Sequence, residues 1–238
     1  MKRGIFLVAS LVISSALYSQ AEEPLFSREQ VLDIFSLYNP SVFEKAKQND
    51  TYAELLDQFV QAFQVPDTLD NRVALIAAAR NFETSLRLHD LTELYVEKAT
   101  WAQMAGQNSH GIDTLYRLDV QDEMTRIYAV SLQVNRWKLQ ELKRALKQVQ
   151  KENLSPEQKE ERIARFKADI KQQKAEIRSL EKNSGELVLQ FTDKQLAQAK
   201  AQVAQRLTAF ERAAAQEDSA AQAANLQIKT NHKHPVAK

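Results

Sequence analysis

Residues 125–146, TRIYAVSLQVNRWKLQELKRAL, and residues 163–184, IARFKADIKQQKAEIRSLEKNS, decide the fold. In the first stretch Leu146, Leu142, Leu139, Asn135, Leu132, Tyr128 and Thr125 alternate in steps of four and three. In the second, Ile163, Phe166, Ile170, Gln173, Ile177, Leu180 and Ser184 alternate in steps of three and four. Both are heptad stripes, the spacing that keeps one apolar seam on each of two helices wound together. If Asn153-Leu154-Ser155 is the turn between them, facing residue numbers sum to about 308. That register sets Asn135 against Gln173 and Thr125 against Ser184, with apolar layers between. A polar side chain buried opposite an apolar one leaves a group without a partner, so the matched polar steps predict an antiparallel helical hairpin.

Composition carries the helical reading to the rest of the chain. Four glycines and five prolines in 238 residues leave little turn chemistry for short strands, whereas Ala, Gln, Glu, Lys, Arg and Leu abound. The expected fold is all-α, a small N-terminal helical bundle packed on the base of a long coiled-coil hairpin.

The bundle is expected over residues 22–108. Ser27 with Gln30, Thr51 with Glu54 and Asp90 with Glu93 have capping-box spacing, and Asn39-Pro40 and Pro66-Asp67 punctuate between helices. Three apolar faces follow, around Val31 and Phe35, around Leu56, Phe59 and Val60, and from Leu69 to Leu88. The region's aromatic residues, at helical spacing, read as core. Gly106-Gln107-Asn108-Ser109-His110-Gly111 then interrupts the pattern. The hairpin is assigned to residues 112–215, with its turn near 153–155. Its first arm carries a second apolar set, Val120, Met124, Ile127, Val130, Val134 and Trp137, which predicts that the base is covered on two sides. The second arm outruns the first, so its end is expected to fold back on the bundle. Residues 216–238, Ala/Gln-rich and then basic without a packing stripe, are expected to be disordered.

The start of the chain predicts export. Lys2 and Arg3 precede an uncharged apolar stretch from Gly4 to Tyr18, and Ser19-Gln20-Ala21 supplies the small residues of a cleavage site. The apolar run is shorter than the roughly 20 residues that span a bilayer. Residues 1–21 are therefore expected to be a signal peptide, the location periplasmic or secreted, and no integral membrane segment to remain after cleavage. The chain has no cysteine, which excludes disulfides, thiolate metal sites and lipidation at cysteine. Asn49-Asp50-Thr51 and Asn153-Leu154-Ser155 fit the glycosylation acceptor pattern, which matters only for a eukaryotic secretory route.

Charge is segregated. Glu22 to His110 holds 14 acidic and 7 basic residues. The hairpin tip, Glu141 to Lys174, holds ten basic and six acidic residues. Lys143, Arg144, Lys147, Lys151, Arg162 and Arg165 form a candidate partner-binding surface. A solvated coiled-coil flank accounts for the same residues, with Glu161 and Arg165 spaced as a helix-face pair. Mixed sign and the lack of exposed aromatics argue against nucleic acid. Anionic lipid, polysaccharide or an unfolded envelope protein fits better.

Leu154-Ser155-Pro156-Glu157-Gln158 resembles the Leu-Thr-x-x-Gln signature of small stress-induced periplasmic chaperones. Ser155 as N-cap, Pro156 at the first helical position and Gln158 closing a box account for the same five residues, so no family is assigned.

No catalytic motif is found, and no catalytic, cofactor or metal residue is expected. His89 and His110 read as junction residues, and His232 and His234 as an incomplete metal pair. The sequence thus predicts a non-enzymatic exported module that contacts a protein partner or itself through helices. The alternative is a holdase for unfolded envelope proteins.

Overall fold

The computed structural model describes residues 24–231, with side chains through residue 220. The export signal expected over residues 1–21 and the pair His232 and His234 lie outside the described residues. Within them the fold is all-α: α1 (Arg28–Tyr38), α2 (Pro40–Ala46), α3 (Asp50–Ala62), α4 (Leu69–Met104), α5 (His110–Lys151) and α6 (Pro156–Asn231). No helix among the described residues is long and apolar enough to cross a membrane.

Helix starts follow local capping chemistry. Ser27 caps α1 in a complete capping box with Gln30. Asn39 caps α2 ahead of Pro40 and also donates from Nδ2 to the Ala79 carbonyl at 3.0 Å, tying the α1–α2 corner to α4. The α3 cap differs from expectation. Asn49, not Thr51, accepts from the Thr51 and Tyr52 amides, because an asparagine two residues earlier reaches the same orphan donors.

A helix start was also expected at Asp90, and none forms. α4 runs through His89 and Asp90 to Met104, since Leu69–Met104 contains neither proline nor glycine and a capping residue alone does not end a helix. It ends instead at Gly106, whose φ of 71° is open to glycine. The amides of Gly106 and Gln107 bond to the Gln103 and Ala102 carbonyls, a Schellman closure. α6 passes Gly185 and Gln216 without a break to Asn231. The disorder expected from residue 216 is replaced by continuous helix up to Asn231, and the end of α6 reaches residues of the expected bundle without a break in the helix, Arg206 pairing with Glu93 at 2.7 Å and Phe210 lying beside Trp101. Ala and Gln have high intrinsic helix propensity, which needs no packing stripe. Every residue from 211 to 220 is exposed.

The chain divides into two compact units, and both are discontinuous. One takes the described residues up to Asp90 together with Asp119–Thr192; the other takes Leu91–Leu118 and the described residues from Asp193 onward. The linear division at residues 108 and 112 is not followed, because α4, α5 and α6 are each long enough to serve both units.

In the first unit Phe35 meets Phe59 and Phe82 edge-on at 4.9 and 5.2 Å, with Val31, Val42, Val60, Leu75 and Ala79 closing the cluster. A second cluster joins Val73, Ile76 and Ala77 of α4 to Val134 of α5, flanked by Val130 and Trp137. Val130, Val134 and Trp137 of the second apolar set of α5 thus pack against α4. Glu123, also buried here, is held bidentately by Arg87 at 3.0 and 3.2 Å.

The second unit is organised around tyrosines. The Tyr95 and Tyr116 rings lie 4.5 Å apart, and both residues are buried, as are Val96, Ala99, Leu196 and Val203 of the same unit. The Tyr95 hydroxyl donates to Asp113 Oδ1 at 2.8 Å, and Lys200 Nζ pairs with Asp113 Oδ2 at 2.6 Å. Burial alone would raise the Asp113 carboxyl; Lys200 and Tyr95 outweigh it and hold the group below its ordinary range. Burial, reinforced by the bond to Asp113, pushes the Tyr95 hydroxyl well above the usual phenol value.

Candidate functional site

In the first unit side-chain contacts join α5, or the turn after it, to α6. Going back along α5, Glu152 pairs with Arg162 at 2.6 Å, Arg136 with Glu181 at 2.6 Å, and Asn135 lies against Gln173. The turn takes four residues, 152–155. Ser155 Oγ accepts from the Gln158 amide at 3.3 Å with Pro156 opening the helix, so capping accounts for the Leu154–Gln158 motif.

Gln173 is 1 % exposed, and its Nε2 donates to Asn135 Oδ1 at 2.9 Å. Asn135 Nδ2 donates in turn to the Ser131 carbonyl at 2.8 Å. Leu142 and Ile177 are buried, while Leu132, Leu139, Leu146, Ile163, Phe166 and Ile170 are half-buried, as two helices without a third neighbour permit. The stripe also continues one step past Leu146 to Val149, which is 1 % exposed.

The other polar step does not form a layer. Thr125 is exposed and its hydroxyl returns to the Gln121 carbonyl at 2.8 Å. There Met124 and Ile127 are the buried residues, because the face of α5 that meets α4 takes precedence over the hairpin seam.

The six tip cations are all exposed. Arg144 pairs with Glu141, and Arg162 with Glu152. Among the described residues no carboxylate pairs with Lys143, Lys147, Lys151 or Arg165, and the expected Glu161–Arg165 pair does not form; exposed pairs of this kind add well under about 1 kcal/mol. His89 sits beside Asp90 at 3.6 Å on an exposed face of α4, and His110 opens α5, its amide capped by Asn108. Among the described residues, no group of three His, Asp or Glu side chains is placed to hold a metal.

One feature lay beyond sequence reasoning. A half-open cavity of about 380 Å³ lies between α3, α4, α5 and α6 in the first unit. Phe59, Phe63, Phe82, Met124, Ile127 and Leu180 supply its apolar wall. Asn81 and Glu176 are among its polar lining, and no lysine, arginine or histidine reaches it. Asn81 is 5 % exposed, and its Oδ1 has no hydrogen-bond partner.

Comparison with protein-family models, curated proteins and solved structures finds no match to the chain.

Proposed function

We propose that this chain is exported to the periplasm and works there, without catalysis, as an interaction or scaffold module that engages another envelope protein through the α5–α6 hairpin. The observation that supports it is the tip: Lys143, Lys147, Lys151 and Arg165 are exposed and have no carboxylate partner among the described residues, on helices whose seam is already filled. Free cations on an internally satisfied hairpin suit an acidic protein surface, through steering and complementary charge.

The test places a photo-crosslinking residue at position 147, and separately at exposed position 80 on α4, in the full chain in envelope extract. A salt-sensitive adduct at 147 that is absent at 80, and that disappears when Lys143, Lys151 and Arg165 become Gln, supports the proposal. Equal labelling at both positions, or an adduct indifferent to the three substitutions, contradicts it. Mass spectrometry of the same material gives the location, since export requires a chain beginning after Ala21.

A second reading, a holdase for unfolded envelope proteins, is favoured by the half-open apolar cavity and by the exposed Leu94, Trp101, Leu115, Leu118 and Phe210. Suppression of a model client's aggregation that survives the tip substitutions would select it.

A further inference from the structure

Contacts between α5 and α6 define two edges of the hairpin. Arg136 pairs with Glu181 across the first, and Glu152, just past α5, pairs with Arg162 across the second, both at 2.6 Å. Lys138 lies two heptads before Glu152 and reaches Asp70 of α4 at 2.6 Å, so the second edge is the one turned toward α4. Stepping from Arg136 and Glu181 toward the tip, the first edge carries Lys143 and Lys147 of α5 and Lys167, Lys171, Lys174 and Arg178 of α6. Its intervening positions 140, 150 and 164 hold no Asp or Glu. The second edge mixes sign, with Glu141, Asp169 and Glu176 among its residues.

All six cations of the first edge are exposed, and none has a carboxylate partner among the described residues. Lys143 and Lys174 stand one heptad beyond the Arg136–Glu181 pair, where an acid on either helix would pair again, so the stripe adds nothing to the hairpin's own stability. The seam is uneven in the same sense. Leu139, Ile163 and Ile170 each precede a first-edge lysine by four residues, one helical turn, and with Leu146 they are half-buried. Beside the second edge Leu142, Val149 and Gln173 are buried, and Asn135 and Phe166 half-buried. Two rows of cations therefore flank an incompletely covered apolar strip, about 17 Å long from Lys167 to Arg178 at 1.5 Å per residue.

We infer that this edge receives an acidic amphipathic helix of the partner, its apolar stripe on Leu139, Leu146, Ile163 and Ile170 and its carboxylates between the two rows of cations. The inference rests on the scaffold reading above and names the chemistry of the partner. An apolar strip walled by like charge is complementary to a helix that carries apolar residues flanked by the opposite charge. Single-stranded nucleic acid stacks on aromatic side chains, and this edge has none. Phosphate groups favour the bidentate fork of arginine, and five of the six cations are lysine.

The probe is a peptide of about 21 residues, three heptads with Leu at the seam and Glu beside it, whose own carboxylates keep it from self-pairing. Anisotropy of the labelled peptide with the full chain at pH 7 is expected to show saturable binding. Lys143→Gln, Lys171→Gln and Lys174→Gln together should weaken it at least about tenfold, and Arg162→Gln with Arg165→Gln less than about twofold. The first set is not expected to lower the melting temperature, since those lysines pair with nothing. A peptide with Ser for Leu should also bind at least about tenfold more weakly. No saturable binding, equal binding of the Ser peptide, or equal losses in the two sets of variants would overturn the assignment. Phosphatidylglycerol vesicles that bind as tightly as the peptide, through the same three lysines, would give the edge to a membrane instead.

Photo-crosslinking residues at exposed positions 140, on the first edge, and 148, on the second, separate this inference from the scaffold reading in envelope extract. An adduct at 140 that the Glu peptide competes away is expected. An adduct at 148 alone overturns the helix-binding edge and leaves the scaffold reading standing, and no adduct at either position overturns both.

Discussion

Gln173 of α6 reaches Asn135 of α5 across the hairpin, Nε2 to Oδ1, at 2.9 Å. The contact fixes a register. A slip of one heptad toward the tip would set the Gln173 amide against Leu142, where its donors would have no acceptor.

Replacing Gln173 by Leu is expected to destabilise the first unit by about 1 kcal/mol, since the half-buried Asn135 Oδ1 then loses its donor. Asn135→Leu combined with Gln173→Leu should recover most of that loss, because two apolar partners of similar shape leave nothing unpaired. Denaturant melts of the three variants check the non-additivity.

Phe35→Ala removes the ring that touches both Phe59 and Phe82, at a residue with no exposed surface. A loss of about 3–5 kcal/mol is expected. Leu37→Ala, two positions away and 72 % exposed, is expected to lie within about 0.5 kcal/mol of the parent by the same melts.

Asn39→Ala should cost about 1–2 kcal/mol. It removes the α2 cap and leaves the Ala79 carbonyl without its 3.0 Å donor. Asn39→Asp keeps the cap but not the donor, and should fall between the parent and Asn39→Ala.

The second unit is expected to lose stability at both pH extremes. Asp113 is held below its ordinary value, so its contribution is complete above the usual carboxylate range, near 3.9, and disappears as pH falls through the lower folded value. Tyr95 is raised, so its contribution is complete below about 10 and declines as pH rises toward the folded value. Trp101 emission in a Trp137→Phe background follows this unit. Lys200→Met should move the acid transition to higher pH, because the cation that favours ionised Asp113 is gone.

The sequence stripes revealed much of this. Steps of three and four through Leu142, Asn135, Gln173 and Ile177 were readable because a buried seam admits few alternatives, and Ser27 with Gln30 was readable because capping is local. His89-Asp90 misled because a residue that suits a cap also sits on an exposed helix face. Thr125 misled because two faces of α5 compete there and packing on α4 prevails. Val149 could have been found by extending the stripe one step. The cavity could not: it is the volume left where four helices fail to close, and Asn81 in the sequence is one more polar residue within an apolar run. The two discontinuous units were equally hidden, since heptads do not record which neighbours a long helix acquires along its length.

The most direct test of the central claim uses the absence of native cysteine. Leu142→Cys with Phe166→Cys, which share the register of Asn135 with Gln173, should form a disulfide within a single chain under mild oxidation, visible as a faster-migrating species of unchanged mass class. Leu142→Cys with Leu180→Cys should not. Efficient closure of the second pair, or a first pair that closes only between chains, would contradict the intrachain hairpin on which the proposed function rests.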